Sequence, residues 1–335
     1  SFSLAIDGLT LLFALIICGA GFFVSLYAAD YLPAETDTGK FYAYLHGFLL
    51  AMLGLVMADN LLAVFVFWEM TTLISYLLIG FECESEAARQ NARQALLVTG
   101  VGGLALLVGF LLLGNIANTY DLSQLSMQSG IIKADSLYLA VLVMVFTGSF
   151  TKSAQFPFHF WLPNAMSAPT PISAFLHSAT MVKAGIYLLA RLHPILGGTH
   201  AWMGTLVVVG GITALLGSVL AINASDLKRI LAFTTIMALG ILTMFLGGKT
   251  TPALTAAMTF LMVHSLYKCS LFLVVGIIDH QTGTRMIDRL GGLFQSMPIT
   301  AFAAATAALS MAGFPLFFGF IGKEIMYKGA LTEDV

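Results

Sequence analysis

The sequence predicts an all-α polytopic membrane protein. Hydrophobic residues make up 59% of its 335 positions and charged residues only 10%, whereas a soluble domain usually carries about 25% charged residues. The mean hydropathy is +0.92. The apolar runs are continuous and long enough for helices, and they lack the alternation of a membrane β-barrel. These observations exclude an ordinary soluble domain and indicate a bundle of membrane-spanning helices.

About ten spans follow from the need for roughly 20 apolar residues per crossing. We predict them at residues 9–29, 42–58, 60–81, 91–115, 137–160, 170–192, 201–222, 228–247, 252–278 and 297–321. The linkers are short except for residues 116–136, which are polar enough to leave the membrane. The whole chain is therefore expected to form one transmembrane domain.

The basic residues of the linkers predict how these spans are oriented. When alternate linkers are assigned to opposite sides, one side collects Lys40, Arg89, Arg93, Lys228, Arg229, Arg285 and Arg289, and the other collects Lys133, Arg191 and Lys249. The positive-inside rule places the side with more Lys and Arg in the cytoplasm. The first residues then lie outside.

Titratable residues inside the spans are the main functional signal. Glu69 lies near the middle of span 60–81, where a charge costs at least about 2.5–3.5 kcal/mol. A single buried carboxylate can be a structural group that hydrogen-bonds between helices. This chain, however, has a set of such residues, namely Lys152, His177, Lys183, His264, Lys268 and Lys323. The set favours a polar track for ions across the membrane.

His264 and Lys268 are four residues apart and share a helix face. Burial disfavours a charged ammonium, so a buried lysine can lose and regain a proton, and a neighbouring histidine can exchange one with it. A lone histidine in a span is more often a packing residue, which is our interpretation of His159 and His193 at span ends.

Lys228 has two interpretations that the sequence does not separate. It begins a predicted helix beside Arg229, with Ser225 or Asp226 as the N-cap. It is either a cytoplasmic anchor or a member of the track.

Two spans combine a helix breaker with a lysine. "TKSAQFPFHFWLP" has Lys152 before Pro157, and "AGFPLFFGFIGKE" has Gly313 and Pro315 before Lys323. Proline interrupts a helix, and unwound backbone is tolerated in a membrane only inside protein or along a wet cavity. Such a break beside a charge points to a transport site.

The two breaks suggest an inverted repeat. They fall five spans apart and carry lysine and proline in opposite order, as expected when an odd-numbered repeat reverses its direction across the membrane. We expect a preceding helix at 1–41, a first five-helix repeat at 42–192 and a partial second repeat at 201–335. The three prolines of "PNAMSAPTPIS", residues 163–173, predict an irregular turn after the first break.

Other kinds of site have no signal. Cys18, Cys83 and Cys269 lack metal-binding spacing, and no nucleotide loop, catalytic triad, iron–sulfur spacing or basic block for nucleic acid is present. Gly210, Gly211 and Gly217 are interpreted as helix-packing residues. We expect no cofactor, no resident metal, no nucleic-acid partner and no enzymatic chemistry.

Four segments carry a resemblance to a known family: "FVFWEMTTLISYLLIGF", "KSAQFPFHFWLPNAMSAPTPISAFLHSATMVKAGIYLLARL", "SDLKRILAFTTIMALG" and "HSLYKCSLFLVVG". Together they resemble the antiporter-like subunits shared by respiratory complex I and the Mrp-type multisubunit cation/proton antiporters. The resemblance covers essentially the whole chain. Within "LPNAMSAPTPISAFLHSATMVKAG" it is greatest to the large A subunit of the Mrp antiporter.

The resemblance implies a fold and a set of site residues. The family has about fourteen core helices in two inverted five-helix repeats, each with a broken helix, and its A subunit extends beyond both ends of this chain. Glu69 matches the family's glutamate, and Lys152 matches the lysine that pairs with it. The other matching positions are His177, Lys228, His264, Lys268 and Lys323, and Lys183 matches a lysine found only in some members.

The function implied is a proton-translocating subunit of an antiporter that exchanges cytoplasmic Na⁺ for external H⁺. Glu69 and Lys152 would form an ion pair that opens and closes. The Na⁺ path would lie elsewhere in the complex, because this chain offers no oxygen-rich cage. Its partners would be other membrane subunits, including a second homologous antiporter-like subunit, and lipid of a bacterial or archaeal cell membrane.

Two alternatives remain open at this point. One is a proton-pumping subunit of complex I or a related membrane-bound hydrogenase, which the identity of the partner subunits would reveal. The other is a structural scaffold with vestigial charges, which normal transport after Lys152→Ala would support.

Overall fold

The computed structural model describes residues 3–332, and eight helices in that range are long and apolar enough to cross a membrane. Two shorter apolar helices accompany them, Tyr138–Lys152 and Pro298–Ala312. The prediction of an all-α polytopic membrane protein is confirmed, and each of the predicted spans contains a helix.

The helices follow the predicted order, with boundaries shifted by a few residues. The first half contains α1 (Gly8–Tyr31), α2 (Thr38–Met57), α3 (Leu61–Ile79), α4 (Glu86–Ala117), α5 (Leu122–Met127), α6 (Ser129–Ala134) and α7 (Tyr138–Lys152). The second contains α8 (Trp161–Asn164), α9 (Thr170–Ala174), α10 (Met181–Leu196), α11 (His200–Ile222), α12 (Leu227–Leu246), α13 (Thr251–Thr282), α14 (Leu293–Ser296), α15 (Pro298–Ala312) and α16 (Phe318–Leu331). The polar linker 116–136 contains the two short helices α5 and α6, which the sequence did not predict.

Side-chain caps fix where many of the long helices begin. The side chains of Asp7, Asp37, Asn60, Ser85, Thr199, Asp226 and Thr250 each accept a hydrogen bond from a backbone N–H in the first turn. Such caps satisfy donors that a helix leaves unpaired at its start. Of the two caps predicted for α12, Asp226 is the one used.

Successive linkers lie on two opposite faces of the bundle, as assumed when the basic residues were assigned to two sides of the membrane. On one face Tyr31 contacts Thr170 and Arg285 contacts Asp226. We call this the basic face, formed by linkers 32–37, 80–85, 223–226 and 283–297. On the other face Ser129 donates to the carbonyl of Ile195.

Both predicted helix breaks are present. The first begins before its proline: α7 ends at Lys152, Ala154 has a φ of 49°, and short turns follow Pro157. The second runs from Gly313, with a φ of 75°, to the start of α16. Each break lies next to a lysine, as the sequence predicted.

The predicted span at residues 170–192 is present as Thr170–Leu196, but its helix is interrupted. After α9 the chain forms a π-helical turn, Phe175–Ala179, and Thr180 leaves helical geometry with φ −128° and ψ −92°. The Thr180 hydroxyl donates to the carbonyl of Phe175 at 2.7 Å, and the Ser178 hydroxyl donates to that of Ala174. Local hydroxyl bonds of this kind compete with the helical pattern, and π-turns occur frequently at functional sites.

Helices α11 and α12 pack closely through glycine. A Cβ at Gly210 would lie 2.6 Å from the carbonyl oxygen of Gly240, and one at Gly217 would lie 2.5 Å from the backbone nitrogen of Met237. At Gly211 the nearest atom, Sδ of Met244, would be at an ordinary 3.8 Å. The packing role therefore holds strictly for Gly210 and Gly217, and Gly211 lies beside the contact.

An ion pair joins three helices on the face opposite the basic face. Arg191 contacts the carboxylate of Asp7 at 2.5 Å and the hydroxyl of Thr10 at 2.8 Å. Its Nε donates to Tyr187, whose hydroxyl donates to the carbonyl of Val56 at 2.9 Å. The hydrogen bond from Arg191 is the main reason that the pKa of Asp7 falls to about 2, and the network ties α1 and α2 to α10.

Gly210→Leu is expected to destabilise the folded protein by about 1–3 kcal/mol, because the new side chain must push α11 away from α12. The measurement is the thermal unfolding midpoint of the purified protein in detergent. Gly211→Leu is the matched control, since that position has room. Equal losses in both variants would contradict the assignment of the close contact.

Asp7→Asn is expected to cost about 1 kcal/mol or less at neutral pH, because it removes the charge of a half-exposed ion pair but keeps an oxygen that can cap the helix. The folded pKa of Asp7 is depressed, so its stabilisation is complete above about pH 4 and disappears as the pH falls through about 2. Unfolding midpoints of wild type and variant should therefore converge on acidification. A gap that stays constant down to low pH would refute this.

Candidate functional site

The candidate site is a group of titratable side chains buried between α3, α7, α10, α12 and α13. Lys152, His177, Lys183, His264 and Lys268 have no exposed surface, and Lys228 is 2% exposed. Lysine is almost never fully buried unless it is paired. The hydrogen-bond partners of each ammonium therefore determine what the site can do.

Lys152 is the last residue of α7, and its ammonium is bound by α3. Its Nζ donates to Oγ1 of Thr72 at 2.7 Å and to the carbonyl of Trp68 at 3.3 Å. It also lies 5.1 Å from the centroid of the Trp68 ring, within cation–π range. The ammonium is thus held by one turn of α3, beside Glu69.

Glu69 does not contact Lys152 directly. Its Oε1 is buried without a hydrogen-bond partner and points at α4, where a Cβ on Gly103 would collide with it. Within residues 3–332, no N–O contact of 4.0 Å or less joins Glu69 to a lysine. Glu69 and Lys152 therefore do not form an ion pair in this structure, which we call the separated arrangement, and Lys152 lies on the neutral acceptors of α3.

Lys183 connects the π-helical turn to α13. Its ammonium donates to the carbonyl of Ser178 and to Oγ of Ser265. The Ser265 hydroxyl in turn donates to the carbonyl of Leu261 at 2.6 Å. This lysine therefore holds the irregular segment against the helix that carries His264 and Lys268.

Lys268 repeats the arrangement of Lys152 on another helix. Its Nζ donates to the carbonyl of Leu231 at 3.0 Å and to Oγ1 of Thr234 on α12. His264 lies one turn earlier on α13, packed edge-on against Tyr267 with ring centroids 5.3 Å apart. The predicted His264–Lys268 face is buried as a unit.

Lys228 is buried, which favours the second of its two interpretations, a member of the track, over an anchor in solution. Its Nζ donates to the carbonyl of Ala168 at 2.8 Å, in the irregular turn before α9, whereas the neighbouring Arg229 is exposed. His177 follows in the π-turn, with its ring 6.3 Å from that of Trp161. Trp161 donates its Nε1–H to the carbonyl of Thr151 at 2.9 Å, which links the turn to the first helix break.

Lys323 lies apart from the buried group. It is partly exposed, and its Nζ donates to the carbonyl of Ala312 at 2.8 Å across the second break. Of the two end-of-span histidines, His193 contacts the carbonyl of Gly248 at 3.0 Å, as a packing residue would. His159 lies in the turn Phe158–Phe160 after the first break.

Several buried polar atoms near these lysines have no hydrogen-bond partner in the described part of the chain. They are Nε1 of Trp68, Oγ of Ser149, Oε1 of Gln155 and both ring nitrogens of His177 and of His264. A buried polar group without a partner costs about 1–3 kcal/mol, and ordered water usually supplies the missing bond. The arrangement is suited to proton transfer through water between titratable groups.

Sequence reasoning missed the hydroxyl partners of the lysines. Thr72, Thr234 and Ser265 are each bonded to an ammonium. A usable signal was present, since the pair Thr-Thr occurs at 71–72 and again at 234–235 in the middle of apolar spans. No group of three or more His, Cys, Asp or Glu side chains among the described residues could hold a metal ion.

Comparison with protein families gives two matches that together cover nearly the whole chain. Residues 58–334 match the family described as "NADH:quinone oxidoreductase/Mrp antiporter, TM". Residues 1–42 match the family described as "NADH-Ubiquinone oxidoreductase (complex I), chain 5 N-terminus".

Curated relatives are similar over the full length of this chain. The A/B subunit of a probable K⁺/H⁺ antiporter of Rhizobium meliloti is 47% identical over 100% of this chain and 34% of its own length. The A subunit of a Na⁺/H⁺ antiporter of Alkalihalophilus pseudofirmus is 45% identical over 99% of this chain and 43% of its own length. The chain thus spans less than half the length of these relatives.

Solved structures agree with the fold. A chain of the Mrp complex from Dietzia sp. superposes with a TM-score of 0.94 at 42% identity, covering 99% of this chain and 36% of that one. A chain of the membrane-bound sulfane sulfur reductase, an archaeal respiratory membrane complex, superposes with a TM-score of 0.90 at 22% identity, covering 99% and 68%. The second likeness concerns the fold alone.

Thr72→Val is expected to destabilise the protein by about 1–3 kcal/mol, because it removes an acceptor from the buried ammonium of Lys152. Thr71→Val is the matched control: Thr71 is adjacent and equally buried, and its hydroxyl bonds only to the carbonyl of Trp68. Unfolding midpoints in detergent measure the difference. A loss no larger than that of Thr71→Val would show that the Thr72 contact is energetically unimportant.

Proposed function

Because the chain belongs to the NADH:quinone oxidoreductase/Mrp antiporter transmembrane family, we propose that it is the proton-translocating part of a multisubunit cation/proton antiporter. The proposed reaction exchanges cytoplasmic Na⁺ for external H⁺. The observation that carries the proposal is the buried set of Lys152, His177, Lys183, Lys228, His264 and Lys268 within spans that are otherwise apolar. Buried ionisable groups in such spans mark ion and proton pathways.

The exchange begins in this proposal with Glu69 and Lys152. In the separated arrangement Lys152 rests on Thr72 and Trp68. Movement of either side chain by a few ångströms would bring the carboxylate to the ammonium, and this closed pair favours charge on both groups. Opening removes that stabilisation, so Lys152 can then release its proton to water and onward. Alternation between the separated and the closed arrangement thus couples proton release from Lys152 to its contact with Glu69.

The remaining groups carry the proton from Lys152 on α7 towards α12 and α13. His177 lies beyond Trp161, and Lys228 bonds to the turn that precedes the same irregular segment. Lys183 holds that segment against α13, which carries His264 and Lys268. Lys323, at the second break, continues the track. Water molecules between the groups complete each step, since a histidine with two free ring nitrogens can accept on one and donate from the other.

The transported cation and the partners are part of the proposal. The curated relatives are named for K⁺ in one case and for Na⁺ in the other, so both ions are candidate substrates. The described residues contain no metal-binding cluster, and the proposal therefore assigns the cation path to other subunits. Those subunits include a second antiporter-like one, and the basic face is proposed to lie in the cytoplasm of a bacterial or archaeal cell.

A redox-driven proton pump is the second candidate. The family description includes NADH:quinone oxidoreductase, and the same buried lysines would suit such a pump. The curated relatives at 43–47% identity are named for antiporters, which favours the antiporter. The two candidates differ in whether proton movement requires an electron donor.

Lys228→Ala and Lys152→Ala are expected to lower exchange by at least about tenfold, because each removes a proton-transfer group. The assay uses everted vesicles containing the whole antiporter complex, with dissipation of ΔpH measured after addition of Na⁺, K⁺ or Li⁺. Arg229→Ala is the matched control, since this neighbour of Lys228 has the same charge and is exposed. It should retain wild-type exchange.

The same vesicles separate the alternatives. Normal exchange in both lysine variants, at normal complex abundance, would support a scaffold and end the relay proposal. Proton movement that occurs only with an electron donor, and without an added cation, would favour the redox pump. Glu69→Ala should resemble Lys152→Ala if the two groups act as a pair.

A further inference from the structure

A cavity of about 300 Å³ opens on the basic face, where α1 and α13 end. Its lining residues are Tyr27, Asp30, Tyr31, Ile277, His280 and Gln281. Asp30, His280 and Gln281 are exposed, so the mouth of the cavity is open to solution in this chain. The rings of Tyr27 and Tyr31 stack with centroids 5.2 Å apart, and Tyr31 also contacts the ring of His280. The cavity has a polar mouth and narrows between aromatic side chains.

Gly276 of α13 precedes the lining residue Ile277 and lies against the lining residue Tyr27, and we call this contact the inner end of the cavity. A Cβ at this glycine would collide with the hydroxyl of Tyr27 and would lie only 2.7 Å from Cγ2 of Thr170. The Tyr27 hydroxyl is buried and has no hydrogen-bond partner in the described chain. The Tyr31 hydroxyl donates to Oγ1 of Thr170 at 3.2 Å. The Tyr31 hydroxyl therefore bonds to the fully buried Thr170, and the Tyr27 hydroxyl and Thr170 both lie against Gly276.

The far side of Thr170 belongs to the buried titratable group. Thr170 begins α9, and two residues earlier the carbonyl of Ala168 accepts the ammonium of Lys228. His177 follows seven residues after Thr170 on the same segment. One short stretch, residues 168–170, thus separates the solvent-open cavity from Lys228. On the rest of the basic face, Lys228 is flanked by the ion pair of Arg285 and Asp226, whose Nε and Oδ2 atoms are 3.1 Å apart.

We propose that this cavity is the port through which protons pass between the solution at the basic face and Lys228, with the hydroxyls of Tyr27 and Tyr31 as its inner donors and acceptors. The proposal rests on the proposed function. The ligand is water and hydronium, because the polar lining consists of hydroxyls, an amide, an imidazole and a single carboxylate, too few anionic oxygens to replace the water shell of a cation. A hydroxyl that accepts a proton from water on one side and releases its own on the other returns to neutral, so no co-reactant is needed. The carboxylate of Asp30 raises the local concentration of protons at the mouth.

The first test closes the inner end. Gly276→Ala should lower exchange by on the order of tenfold in vesicles containing the whole complex, since the added methyl group lies between Tyr27 and Thr170. Gly19→Ala on α1 is the control, because a Cβ there meets nothing within 4 Å. Gly276→Ala is expected to lose about 1–3 kcal/mol of stability through overpacking, so exchange is normalised to the amount of assembled complex in each vesicle preparation.

A second variant distinguishes conduction from simple crowding. Tyr27→Phe removes the hydroxyl with which the new methyl group collides. If the hydroxyl conducts protons, Tyr27→Phe alone lowers exchange, and the double variant with Gly276→Ala is no better than either single change. If Tyr27→Phe exchanges normally, its hydroxyl conducts no protons and the port is refuted, whether or not Gly276→Ala is restored, because the added methyl group also meets Cγ2 of Thr170 at 2.7 Å.

The third test measures access directly. Gln281→Cys is made in a background with Cys18, Cys83 and Cys269 changed to serine, and a membrane-impermeant cationic thiol reagent is applied from the basic face. Exchange should fall at least about fivefold, because a fixed positive charge at the mouth repels protons and fills the opening. Asp288→Cys, exposed on the same face outside the cavity, should react without loss of exchange.

Failure of the port and failure of the proposed function give different results. If Gly276→Ala, Tyr27→Phe and modified Gln281→Cys all exchange normally while Lys152→Ala does not, the port is refuted and the relay stands. If Lys152→Ala also exchanges normally, the relay is refuted and the port with it.

Discussion

The satisfaction of buried ammonium groups by neutral oxygens is the constraint on which the rest of this structure depends. Lys152, Lys183, Lys228 and Lys268 are inside the bundle, and each donates to a backbone carbonyl. None of them has a carboxylate within 4.0 Å in the described chain. A carbonyl or hydroxyl stabilises an ammonium less than a fixed countercharge does, which is why the proposed function has these lysines change their protonation state.

The acceptors come from two sources, and each explains a feature of the fold. Irregular backbone provides the first source. The Ser178 carbonyl in the π-turn binds Lys183, the Ala168 carbonyl before α9 binds Lys228, and the Ala312 carbonyl at the second break binds Lys323. Regular helices provide the second source. On α3 a threonine hydroxyl and a carbonyl together bind Lys152, and on α12 the same two kinds of group bind Lys268. The helix interruptions therefore create polar binding positions at membrane depth. Removing them would take the carbonyl partner from Lys183, Lys228 and Lys323, and Lys183 would keep only Oγ of Ser265.

Particular residues show how far sequence reasoning reached. The spans, the breaks near Pro157 and Pro315 and the burial of Lys152 and His264 followed from hydropathy and proline chemistry. Three features did not follow. The π-turn around His177 contains no glycine or proline, so its signal is only a few hydroxyls. The separation of Glu69 from Lys152 depends on Gly103 of α4, which leaves room for the carboxylate. The burial of Lys228 depends on the turn at Ala168, far away in the chain.

The sequence by itself determined which segments cross the membrane and placed titratable residues such as Lys152 and His264 inside it, because both depend on the transfer of local side chains from water to hydrocarbon. Only the tertiary structure decided what each of those residues binds. A hydrogen bond needs two atoms about 3 Å apart, and the acceptors of Lys152 lie 80 and 84 positions away along the chain. The cavity at Tyr27 is likewise formed by the ends of α1 and α13, which only folding brings together.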